Sequence, residues 1–164
     1  APDGKVRCEK IELDSYLKRR LNESLLLFFT GVTRRADTIL DEQKRNIGDR
    51  LSVLREMKQM AYTARDELRP GNLDSIGELL HKSWELKKQL ASQISNGMID
   101  DMYQAARRAG AIGGKITGAG GGGFLLLYCP QERREAVRTA LNHLQELPFR
   151  LEQDGSKVIF NYRR

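Results

Sequence analysis

The residues of this chain best suited to chemistry lie between Gly113 and Tyr128, in GGKITGAGGGGFLLLY. Residues 118–123 are all glycine except Ala119. Lys115 and Thr117 lie just before them, and the apolar run Phe124 to Tyr128 follows. Glycine is entropically costly to order, so a run of it between two strand-like segments needs a reason. One reason is a nest: successive bare N–H groups curl around an anion, most often a phosphate, with the Lys115 ammonium and the Thr117 hydroxyl beside it. The other is a tight structural turn without a ligand, which leaves Lys115 an exposed strand residue and Thr117 a turn hydroxyl. No Gly-Lys-Ser/Thr follows the glycines, so this is not a Walker A loop. Gly118, Gly120 and Gly123 have dinucleotide-fingerprint spacing, but an apolar strand follows them where that motif needs a helix.

Other candidates carry less. Arg34 and Arg35 follow a strand end and Gly31, where a guanidinium can meet an anion or simply sit on a helix surface. His81 and His143 are isolated and read as structural. Asp100 and Asp101 open a helix, where acids complement the positive end of the helix dipole. With two His, two Cys and no Cys-x-x-Cys or His-Glu-x-x-His, no metal site of that kind is expected. No nucleophile, base or metal cluster emerges.

The elements that must position these residues follow from periodicity. Leu25 to Thr30 reads as a strand buried on both faces. Thr33 is the expected cap of a helix carrying Ala36, Ile39 and Leu40. A second helix runs from Ile47 to Leu68 and stops at Pro70-Gly71. Asn72 caps a third, with Leu80, Leu86, Leu90 and Ile94 on its apolar face, broken by Ser95-Asn96-Gly97. Asn96 caps a fourth that ends at Gly110. Strands at Lys115–Thr117 and Phe124–Tyr128 flank the glycines. Pro130 opens a fifth helix. Strands at 148–152 and 157–162 close the chain. This order implies an α+β fold, with helices packed on one face of a mostly antiparallel sheet.

Composition sets the frame. The 164 residues fit one domain, and 40% apolar with 30% charged residues is ordinary for a globular protein. No apolar run approaches bilayer length, so no membrane partner is expected. The formal charge of +6 comes from basic residues mixed with acids along helices, which argues against a nucleic-acid partner. Two cysteines and no secretory leader point to a reducing, cytoplasmic setting. Residues 4–13 alternate like the second strand of a hairpin whose first strand is absent, which suggests a piece of a longer protein.

The run Gly114-Lys115-Ile116-Thr117-Gly118-Ala119-Gly120-Gly121-Gly122-Gly123 resembles the third signature motif of the GHMP kinases, in the C-terminal domain of that family. Phe29 to Arg34, Leu80 to Trp84 with Lys87, and Ile99-Asp100 leading to Lys115 most resemble the bacterial D-glycero-D-manno-heptose 7-phosphate kinases. The resemblance implies a ferredoxin-like antiparallel sheet with helices on one face, as residues 21–164. Residues 1–20 would then be a remnant of the N-terminal domain and its connection. It also implies an enzyme that moves the γ-phosphoryl group of ATP, with Mg²⁺, to a sugar hydroxyl, here the anomeric hydroxyl of a heptose 7-phosphate.

On that reading Lys115, Thr117, Gly118, Ala119, Gly120, Gly121, Gly122 and Gly123 lie beside the ATP phosphate loop, and Arg34 is a candidate contact for the sugar phosphate. ATP and Mg²⁺ would bind mainly to the N-terminal domain, which supplies the Gly-Leu-Gly-Ser-Ser-type loop absent here. No catalytic residue or metal ligand is expected in this chain, which alone should be inactive. Alternatives are a non-catalytic ligand-binding module of the same fold, or another sugar kinase of galactokinase or fucokinase type.

Overall fold

A computed structural model describes residue 8, residues 10–152 and residue 160. Four strands, β1 (Leu25–Phe29), β2 (Gly113–Ile116), β3 (Phe124–Tyr128) and β4 (Gln145–Glu146), form one sheet in the order β2-β3-β1-β4. All three pairings are antiparallel. Helices α2 (Ala36–Arg45), α3 (Leu51–Leu68), α4 (Leu73–Lys88) and α5 (Gly97–Arg108) come between β1 and β2. A 3₁₀ turn (Gln131–Arg133) and α6 (Arg134–Ala140) connect β3 to β4. This is the split β-α-β arrangement of the ferredoxin-like fold, as expected.

The pleat divides the sheet into two unlike faces. Leu26 and Phe28 of β1 lie opposite Leu127 and Leu125 of β3, and Ile116 of β2 pairs with Leu125 from the other side. These five are buried. They pack with Trp84 of α4, Ile99, Met102 and Tyr103 of α5, and Val137 of α6. The alternate residues Leu25, Leu27 and Phe29 are only half-buried, so β1 is not covered on both faces. Its continuous apolar run conceals a one-sided strand, because helices cover only one side of the sheet.

Other boundaries differ for identifiable reasons. Helix α1 (Ser15–Ser24), capped by Asp14 accepting from Leu17 N–H at 2.7 Å, was not expected. It buries no residue, so it has no apolar stripe to read. Thr33 is not a cap; Arg35 occupies that position and ion-pairs with Asp37 at 2.5 Å. Helix α4 ends at Lys88, although its apolar spacing continues to Ile94. Beyond it, Leu90 O accepts from Asn46 Nδ2 (3.0 Å) and Ser92 N–H donates to Glu42 (2.7 Å), so tertiary hydrogen bonds replace helical ones. The strand expected at 148–152 is instead the two-residue β4. Leu147 N–H donates to Leu27 O at 2.8 Å, and Pro148 then has no N–H to extend the ladder. Most of the strand expected at 157–162, and half of the segment 4–13, lie outside the described residues; residues 10–13 form no strand.

Candidate functional site

At one end of the sheet three connections meet: 30–35 after β1, 89–96 between α4 and α5, and 117–123 between β2 and β3. The last is the glycine run, folded as a hairpin loop closed by Thr117 N–H donating to Phe124 O at 2.9 Å. The neighbours hold it firmly. Thr30, itself buried, donates to Gly123 O from both its N–H and its hydroxyl, each at 2.9 Å. Gly123 N–H donates to Val32 O at 2.7 Å, and Gly121 N–H to Ile94 O at 2.8 Å. Gly122 has φ 150°, and a Cβ there would lie 2.5 Å from Val32 O, so only glycine fits.

Those bonds use two of the loop's N–H groups. Among the described residues, the N–H groups of Gly118, Ala119, Gly120 and Gly122 donate to no protein acceptor. Three cationic side chains lie around them. Arg34 Cδ would be 3.4 Å from a Cβ on Gly121, and among the described residues its guanidinium makes no ion pair. Lys87 Nζ donates to Gly118 O. Its pKa is lowered to about 8, first by burial and then by the Lys115 ammonium. Free N–H groups and surplus positive charge can hold an anion and stabilise charge developing on it.

Residues 64–146 match the model of the GHMP kinase C-terminal domain, half of the chain and the whole of the glycine loop. The chain belongs to the GHMP kinase family. It is 27% identical over 151 residues to a D-glycero-alpha-D-manno-heptose 7-phosphate kinase of Campylobacter jejuni subsp. jejuni serotype O:2, covering 88% of this chain and 44% of that protein. It is 34% identical over 117 residues to a mevalonate kinase of Methanothermobacter thermautotrophicus, covering 71% and 38%. Among solved structures, the L. major mevalonate kinase in complex with R-mevalonate aligns with a TM-score of 0.64 at 21% identity, over 73% of this chain and 37% of that one. The chain thus spans less than half the length of these relatives.

Within this GHMP domain, the residues singled out from sequence are partly brought together. Arg34, Lys115, Thr117 and the glycines share one end of the sheet, whereas Arg35 turns away to Asp37. His81 and Trp84 belong to the packing. His81 Nδ1 hydrogen-bonds with Tyr103 OH at 2.8 Å, and burial, then Arg107, holds the His81 pKa below its ordinary value. Asp100 accepts from Ser95 Oγ at 2.8 Å. No helix among the described residues is long and apolar enough to cross a membrane. Sequence reading overlooked Lys87 as a site residue. The signal was present: Lys87 is three residues after Trp84 and seven after Leu80, on the apolar side of α4, where a lysine is out of place.

Proposed function

We propose that this domain is the C-terminal half of an ATP-dependent sugar kinase acting on the anomeric hydroxyl of D-glycero-D-manno-heptose 7-phosphate in the cytoplasm. The observation that carries this reading is the convergence of Arg34, Lys87 and Lys115 on a loop whose Gly118, Ala119, Gly120 and Gly122 N–H groups have no acceptor among the described residues, built within a GHMP domain. Similarity to a heptose 7-phosphate kinase over most of the chain supports the choice of sugar.

In this reading Gly118, Ala119 and Gly120 face the phosphoryl group in flight, and Arg34 receives the 7-phosphate. Lys115 adds positive potential, and Thr117 closes the hairpin that holds the loop. Phosphoryl transfer demands positioning and charge stabilisation more than covalent chemistry, and this loop can offer both. Nucleotide, Mg²⁺ and the group that accepts the hydroxyl proton belong to the N-terminal half.

The test is phosphoryl transfer from Mg-ATP to D-glycero-D-manno-heptose 7-phosphate, measured for the whole enzyme and for this chain alone. Turnover by the whole enzyme and none by the chain supports the proposal. Turnover by the chain alone, or none by either, overturns it.

A further inference from the structure

We infer that Lys87 is a positioning residue that fixes the Gly118–Ala119 peptide so that the Ala119 N–H faces the anion. This rests on the reading of the loop as a phosphoryl-contacting element. The peptide unit is planar and trans, so its C=O and N–H point in opposite directions. Lys87 donates to the Gly118 carbonyl from the α4 side. The N–H of the same peptide, which belongs to Ala119, is thereby directed away from α4 and into the row of unpaired donors.

The peptide needs such a holder. Gly118 is exposed, has φ 71° and meets no atom within 4 Å of where a Cβ would be. Ala119 packs against the core on one side of the peptide, but no packing holds Gly118 on the other, and glycine resists rotation least of all residues.

The charge balance points the same way. Lys87 is 8% exposed, and among the described residues it has no carboxylate partner. The charged group facing it is Lys115 of β2, which repels it. Its helix neighbour Lys88 is occupied by Glu85 at 3.0 Å and Asp100 at 3.6 Å. A buried ammonium beside a second cation is costly, and an anion on the loop is the counter-charge that relieves it. A strut with only a structural purpose would be served as well by a neutral donor.

The experiment is a set of NMR titrations on this chain, with inorganic pyrophosphate as the probe. In the wild type, pyrophosphate should shift the Gly118, Ala119 and Gly120 amides. Lys87→Met should keep a folded spectrum but bind pyrophosphate at least tenfold more weakly, with the Ala119 amide displaced before ligand is added. Lys87→Arg should recover most of the affinity. A second arm needs no variant: the Gly118 carbonyl ¹³C and Ala119 ¹⁵N shifts should titrate together with a midpoint near pH 8. Wild-type affinity in Lys87→Met, no response of these amides to pyrophosphate, or flat Gly118 and Ala119 shifts between pH 6.5 and 10 would each overturn the inference. Failure of the kinase reading is seen separately, as absent transfer to the heptose by the whole enzyme.

Discussion

Two groups of glycines, one where α4 meets β2 and one in the loop that follows β2, answer to different constraints. Gly113 and Gly114 sit in β2 with ordinary strand backbone; Gly77 in α4 faces Gly113, and a Cβ on Gly114 would lie 2.4 Å from Leu126 O of β3. A Cβ on Gly113 would fall on the Gly77 carbonyl oxygen, and one on Gly77 would lie 2.6 Å from the Tyr128 ring. Gly77 and Gly113 are there because a helix and a strand touch backbone to backbone. The glycines of 118–123 have positive φ, and the exposed Gly118 has open space around it. They are there for the path of the chain and, at Gly120, Gly121 and Gly122, also for the close backbone of Ile94, Gln93 and Val32. The first group lets a helix and a sheet close up, and the second turns the chain through a loop whose Gly118 end is exposed.

The sharpest way to break this comparison is Gly113→Ala. There is no flexible side chain to move aside, so α4 must separate from β2. The expected loss is about 3 kcal/mol or more, read from denaturant midpoints. A loss below about 0.5 kcal/mol would mean the contact is loose.

Lys87 gives the next effect, through pH. Its folded pKa of about 8 lies below the ordinary 10.5, so between those values the unfolded chain binds more protons than the folded one. Stability from this group is therefore lowest below pH 8 and rises as pH climbs from 8 toward 10.5. The gain approaches about 3 kcal/mol if the full displacement is realised. Tyr103, Tyr128 and Cys129, which burial pushes up to about 12, 12 and 11, act in the opposite direction at high pH. Subtracting the profile of Lys87→Met removes them. A difference profile that stays level from pH 7 to 10 would contradict the buried-ammonium account.

Gly122→Ala should cost about 2 kcal/mol, from unfavourable φ and the approach to Val32 O. The smallest effect on stability is expected from Arg34→Ala, within about 0.5 kcal/mol because the residue is exposed and makes no ion pair among the described residues. In the whole enzyme the same change should raise KM for a phosphorylated sugar at least tenfold. A stability loss as large as that of Gly122→Ala would make Arg34 a structural residue.

Much of this was legible in the sequence, for physical reasons. Strand β3 and the ends of α3 and α5 were visible because apolar periodicity and the stop signals Pro70-Gly71 and Gly110 agree. The Asn96 cap was visible because its side chain does what the residue type suggests, accepting from Ile99 N–H at 3.0 Å. Helix α1 was hidden because it buries nothing. The end of α4 was hidden because bonds from Asn46 and Glu42, distant in sequence, end the helix early. The glycine loop was legible as a possible anion site. Its donors could not be sorted in advance, since Val32 and Ile94 take the N–H groups of Gly123 and Gly121 from outside the motif.

The measurement that goes most directly to the central claim is the initial rate of the whole enzyme with Mg-ATP and three acceptors: D-glycero-D-manno-heptose 7-phosphate, L-fucose and mevalonate. The account expects rapid transfer to the heptose phosphate and rates at least a hundredfold lower with the other two. Preference for mevalonate or fucose, or no transfer to any of them, would contradict it.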